Sequence, residues 1–211
     1  MKRIISLTVT IMFVVFICVL SARATVSFVG EGGINISTIS YDPAPAGITV
    51  FPRIGLIAST GLEIGLGKWA IHLGGVYEEK GDKEEYTVGN ITTTVTTKIS
   101  YLTIPLILKG ISDKKTYKIF YGGGLGIGVL LTAESEVEIT DGVSSSSSSV
   151  SIKDILNSTD IGAIIDLGLE FGTIITEARV NYGLSNIGKD TGSTTWNNLS
   201  VALLCGIKVD L

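Results

Sequence analysis

Leu199-Ser200-Val201-Ala202-Leu203-Leu204-Cys205-Gly206-Ile207-Lys208-Val209-Asp210-Leu211 is the stretch that decides the fold. Its odd positions are all apolar, with Cys205 among them. Its even positions are Ser, Ala, Leu, Gly, Lys and Asp. Successive side chains of a strand point to opposite faces, so this period of two describes one apolar face and one mixed face. The run also exceeds the ~5–6 residues of an ordinary soluble strand.

The same pattern recurs towards the N-terminus. Ile174, Thr176, Ala178, Val180, Tyr182 and Leu184 share a face. Ile161, Ala163, Ile165, Leu167, Leu169 and Phe171 form another. Tyr117 to Leu131, Leu102 to Leu108, Trp69 to Tyr77 and Ile54 to Leu66 continue it, and Phe28 to Thr38 is a weaker first strand. That makes eight strands. The connections at 41–48, 80–93, 132–158 and 185–197 are long and polar. Those at Gly67-Lys68, 109–115 and Gly172-Thr173 are short. Short turns at one end and long loops at the other fit an all-β, eight-stranded antiparallel up-and-down transmembrane β-barrel.

The charges choose which face meets lipid. Arg53, Glu63, Glu78, Lys118, Asp160, Asp166, Glu170, Glu177, Arg179, Lys208 and Asp210 lie opposite the apolar faces. A soluble lipocalin-like barrel would put them outside, around an apolar cavity. The long apolar faces, the many glycines on the charged side and the aromatics near strand ends favour the opposite arrangement. The interior is then a compensated network of Arg53, Lys118, Arg179 and Lys208 with Glu63, Glu78, Asp166, Glu170 and Glu177, because buried charges need partners. Trp69, Tyr117 and Phe171 form one aromatic girdle at the short-turn end, and Tyr77 and Tyr182 another at the long-loop end. Gly122, Gly124, Gly126 and Gly128 share one inner wall and leave room for long charged side chains from the others. A lumen packed in this way argues against a wide channel.

Residues 1–24 read as an export signal. Lys2 and Arg3 precede the apolar stretch Ile4–Leu20, and Ala22-Arg23-Ala24 supplies the small-residue cleavage pattern. An uncleaved anchor is the competing reading. Cys18 follows Ile17 rather than a small residue, which argues against lipidation. Residues 25–211 form the barrel domain. Its only cysteine is Cys205, so no disulfide forms within it.

Composition removes several function classes. The chain has 211 residues, 16 basic and 20 acidic groups, 26 glycines and one histidine. The acidic balance gives no nucleic-acid footprint. Two cysteines and His72 leave no multi-ligand metal site and no ordinary His-based triad. Gly122–Gly128 lacks both the Lys-Ser/Thr ending of a phosphate loop and a following helix. No catalytic residue, metal or cofactor is expected. The serine run Ser144–Ser149 is expected to be mobile in the longest loop. Asn90-Ile91-Thr92 and Asn157-Ser158-Thr159 are sequons that matter only in a glycosylating pathway.

Ile99-Ser100-Tyr101-Leu102-Thr103-Ile104-Pro105-Leu106-Ile107-Leu108-Lys109 resembles the Y-L-x-I-P-L-x-L-K strand of the outer membrane β-barrel domain proteins common in Bacteroidota. These are the porin-family or PorT-like proteins. Gly32–Ser37 resembles their G-x-N-x-S strand, Val76–Gly81 their Y-x-x-K-G segment, and Tyr182–Ile187 their Y-G-L-x-N-I segment. The resemblance implies a signal peptide, an eight-stranded barrel and an outer-membrane location, and little about molecular function. A terminal Leu211 departs from the aromatic residue such barrels usually carry for assembly. The expected partners are outer-membrane lipid, the assembly machinery, and a protein or surface ligand at 132–158. The expected role is structural or surface-interacting, without chemistry of its own. The alternative is a narrow channel or a ligand-binding or transport barrel.

Overall fold

The computed structural model describes residues 24–44, 47–141, 144–189 and 192–211. The export segment before Ala24 lies outside them. Nine strands form among the described residues: β1 (Thr25–Asp42), β2 (Thr49–Leu66), β3 (Trp69–Val88), β4 (Ile91–Asp113), β5 (Lys118–Thr140), β6 (Ser145–Ser151), β7 (Thr159–Phe171), β8 (Ile174–Gly183) and β9 (Thr195–Asp210). All the pairings are antiparallel. Eight strands close into a ring in the order β1-β2-β3-β4-β5-β7-β8-β9, and β9 pairs back onto β1 from Ser27↔Asp210 to Asp42↔Thr195. Closure matters physically. It pairs every wall strand on both sides, and only a closed sheet can satisfy its backbone in hydrocarbon.

The turns at one end are tight. Gly67 (φ 73°) and Gly172 (φ 60°) sit in the two-residue hairpin loops after β2 and β7. The left-handed backbone there costs glycine little.

The apolar faces point outward. Leu203 (58% exposed), Ile207, Leu106, Leu125, Ile165 and Leu56 all project from the wall. Of the charged positions between them, Glu63, Glu78, Asp160, Asp166, Glu170, Glu177 and Arg179 are buried. This is the inside-out pattern of a barrel whose solvent is lipid.

Three expectations about the connections need correction. The segments 80–93 and 132–158 are not simple polar loops. β3, β4 and β5 run on past the membrane-length section, and β3 and β4 stay paired to Val88↔Ile91. The serine run is not loose either. Ser145–Ser151 pairs with Thr140–Glu134 as β6, outside the closed ring. Serine has no burial signature of its own, and β5 supplies the template. After β6 a single 3-10 turn, Lys153–Ile155, leads back over the barrel mouth, and Ile187 donates its N–H to the Trp196 carbonyl at 2.9 Å beside it.

The extension formed by β3 to β6 reverses the wall's polarity. In β4 the even positions Leu102 to Leu108 face outward and are apolar. Further along, the outward even positions are Thr92, Thr94, Thr96 and Lys98. On the inner side stand Ile91, Val95 and Ile99, with Val137 and Ile139 from β5 across from them. In β5 a bulge makes the reversal. Ser100 pairs Thr132 while Tyr101 pairs Leu130, so Leu131 is the extra residue. One extra residue flips every later side chain to the other face.

Candidate functional site

The interior holds two polar clusters with apolar layers beside them. The larger begins at the short-turn end. Lys118 Nζ lies 2.7 Å from Glu170, and Lys208 Nζ bridges Glu170 at 2.9 Å and Glu63 at 2.7 Å. Lys109 Nζ continues the chain, 3.5 Å from Glu63 and 3.3 Å from Glu177. Arg179 then approaches Glu177 to 2.7 Å and forks onto Asp166, with its Nε donating at 3.0 Å and Nη2 at 3.3 Å. Lys109 also sits 4.5 Å from the centroid of the Phe120 ring. Four cations thus interleave with four carboxylates in one connected chain. Alternation is what makes such burial tolerable, because each charge has a partner. Glu31 and His72 are buried beside this chain, and their side-chain polar atoms have no hydrogen-bond partner among the described residues.

The second cluster stands higher. Lys80 Nζ lies 3.1 Å from Glu78 and 3.7 Å from Asp160. Thr103 donates to Glu78 at 2.6 Å, and Asn198 donates to Asp160 at 2.7 Å. Tyr101 presents its ring to Lys80 at 5.4 Å. Along β3 the inward order is His72, Val76, Glu78, Lys80, Asp82. Val76 packs with Ile57, Ala202 and Leu204 as an apolar layer. Beyond the upper cluster, Ile39, Ile99, Tyr101, Leu130, Leu156 and Ile187 form an apolar cap.

The expected site residues divide as follows. Glu63, Lys118, Asp166, Glu170, Glu177, Arg179 and Lys208 lie in the larger cluster, and Glu78 lies in the upper one. Arg53 does not join them. It reaches Glu79 at 3.5 Å and donates to the Lys80 carbonyl at 3.1 Å, in a gap where β2–β3 pairing is interrupted between Pro52 and Ile57. Pro52 has no N–H for a ladder, and the guanidinium fills the opening. Lys80 and Lys109, central to the two clusters, fall in the segments 80–93 and 109–115, which the sequence pattern assigns to a loop and a turn. Continuing the alternation one step beyond Glu78 and Leu108 would have put both inside. Beside the glycine wall stand Tyr101, Thr103, Ile107 and Lys109 from β4 and Ile164 from β7, with the long Lys109 side chain packed at Gly122.

Of the aromatics, Trp69, Tyr77, Phe171 and Tyr182 project outward, and half-buried Tyr117 packs on Phe171 with ring centroids 5.7 Å apart. Trp69, Tyr117 and Phe171 lie at the short-turn end. Tyr77 and Tyr182 lie further along their strands.

At the long-loop end a cup of about 590 Å³ opens above the cap. Its lining includes Ile39, Ile99, Ile155, Leu156, Tyr41 and Trp196, with Glu84 on the wall. Tyr41 and Trp196 meet edge to face, 5.5 Å apart. Tyr41 donates to Asp82 Oδ2 at 3.0 Å. Burial first, and Glu84 nearby, push the Asp82 carboxyl up to about 6, while burial and the two carboxylates raise the Tyr41 phenol.

Comparison with known families gives one decisive match. Residues 21–188 match the family described as outer membrane protein beta-barrel domain. The chain belongs to this family. Its place is therefore the cell outer membrane, and its strands are transmembrane. Outer-membrane barrels in general keep short turns on the periplasmic side and long loops outside, and the cup and the extension lie at the long-loop end of this one. Compared with curated proteins, the chain matches none. Solved structures similar to it include Neisserial surface protein A (14% identity, 87% of this chain and 97% of that one, TM-score 0.46). OprG from Pseudomonas aeruginosa is similar at 13% identity, over 90% and 98%, with a TM-score of 0.45. Ail of Yersinia pestis is similar at 12%, over 86% and 97%, with a TM-score of 0.39.

Proposed function

We propose that this small outer-membrane barrel does not conduct and works at the cell surface through its outer end, in a structural or surface-interaction role without chemistry of its own. One observation carries the reading: the lumen is occupied by the chain from Lys118 through Glu170, Lys208, Glu63, Lys109, Glu177 and Arg179 to Asp166, with apolar layers beyond it. A conducting path would have to break several charge pairs at once, and each break leaves an uncompensated buried charge. Residues 1–24 serve as the export signal in this account. Lipid, the assembly machinery and a surface partner at 132–158 are the contacts it implies.

Planar-bilayer recording on the purified barrel tests it. The expected result is a baseline without steady unit conductance across physiological salt. Reproducible unitary currents that vanish with the protein would replace this reading with the narrow-channel alternative.

A further inference from the structure

The outer cup has the dimensions and lining of a small-molecule site. Its volume of about 590 Å³ falls within the ~300–1,000 Å³ of ligand pockets, and its walls are mostly aliphatic and aromatic, as in such sites. Its polar lining comprises Glu84, Thr97, Ser135 and Thr194, and Glu84 is the charged residue among them. Asp82 lies buried below Tyr41, and Glu84 lines the wall. Neither has an ion-pair partner among the described residues.

The lysines of the outer end are engaged elsewhere. Lys80 points down to Glu78 and Asp160. Lys83 and Lys98 pair with Glu85 and Glu136 on the opposite face of the extension. Lys153 and Lys189 donate to the backbone carbonyls of Leu131 and Asp154. An apolar cup with an unbalanced acidic wall and two adjoining aromatic rings is complementary to a cation attached to an apolar body. It is a poor match for a fatty acid or a phosphate, which would meet Glu84 with like charge.

We infer that the cup formed by Ile39, Ile99, Leu156, Tyr41 and Trp196 binds a small amphiphile through its apolar body, with an ammonium head held against Glu84. The inner face of the extension continues the apolar surface outward through Val95, Val137 and Ile139, an approach route for such a molecule. The inference rests on the surface-directed reading above only in taking the outer end as the working end.

The test uses the full barrel in phosphatidylcholine vesicles, carrying Trp69→Phe so that Trp196 is its sole tryptophan and can be excited selectively over the tyrosines. Octylammonium, octanoate and octanol are titrated in turn, with protein-free vesicles measured in parallel to subtract partitioning. The expected result is saturable quenching or a spectral shift with octylammonium, at an affinity about tenfold above octanoate. Glu84→Gln should lose that preference while still binding octanol. Ile155→Phe, which narrows the cup, should weaken all three while the barrel keeps its heat-modifiable gel migration. No saturable signal with any probe, octanoate equal to or tighter than octylammonium, or a preference that survives in Glu84→Gln each overturns the assignment. Bilayer recording reads the lumen and this titration reads the mouth. Conductance with selective binding would sink the sealed barrel alone, and silence without binding would sink the cup alone.

Discussion

The lower part of β5 and its upper part are one strand with opposite manners. Below Leu131, Leu125, Ile127 and Val129 face out, while Gly122, Gly124, Gly126 and Gly128 face in. Above it, Glu134, Glu136 and Glu138 face out, and Ala133, Val137 and Ile139 face in. The odd positions stay largely apolar throughout, so the bulge at Leu131, not the sequence pattern, turns the apolar side from lipid to interior. In β4 and β3 the pattern itself changes phase, from Leu102–Leu108 to Ile91, Val95 and Ile99, and from Leu73 and Tyr77 to Tyr86 and Val88. Three neighbouring strands thus change face at about the same height by different means. The common cause is the solvent. Lipid rewards apolar side chains outside, and water above the membrane rewards the reverse.

Charge pairs sharpen the contrast. Below, Arg179 is 4% exposed between Glu177 and Asp166. Arg179→Ala leaves two buried carboxylates short of a cation, and should destabilise the barrel by about 3–5 kcal/mol in urea unfolding from vesicles. A loss under about 1 kcal/mol would mean that the interior is wetter than the geometry implies.

Asp82 gives an intermediate effect, confined to the outer end. Its carboxyl is pushed from 3.8 to about 6, chiefly by burial. The folded state therefore holds the proton more tightly than the unfolded state between those values, and stability falls as pH rises through that window. After correction for the intrinsic pH dependence of exchange, backbone amides around Tyr41, Asp82 and Thr97 should be better protected at pH 5 than at pH 7.5, by about 1.4 kcal/mol of opening free energy, since roughly one pH unit of the window lies above pH 5. Asp82→Asn should flatten the dependence, and amides of the lower wall should not follow it. The smallest effect belongs to the exposed Lys98–Glu136 pair on the extension. Lys98→Ala should change stability by less than about 1 kcal/mol, and less still in high salt.

The strands were legible because a period of two survives any choice of register. The lipid-facing side was legible because charges fell consistently opposite the apolar residues. The ion-pair partners were not. They depend on cross-strand register, which closure of β9 on β1 determines over residues far apart in the chain. Lys80 and Lys109 escaped because their neighbours stop being apolar, although alternation alone places them inside. Arg53 misled because the alternation is sound there while the ladder is broken beside Pro52. Ser144–Ser149 carried no pattern to read, and its strand exists because β5 extends beneath it.

The face reversal across Leu131 is the centre of this account, and a spin-label accessibility scan of β5 tests it most directly. Single cysteines are placed from Leu125 to Ile139 in a Cys205→Ser background, and the barrel is reconstituted in vesicles. Accessibility to oxygen should peak at 125, 127 and 129. Beyond 131, accessibility to a water-soluble relaxer should peak at 134, 136 and 138, with 133, 135 and 137 shielded. An unbroken odd-numbered outward phase from 125 through 139 would contradict the bulge, the reversal and the inward-facing apolar extension together.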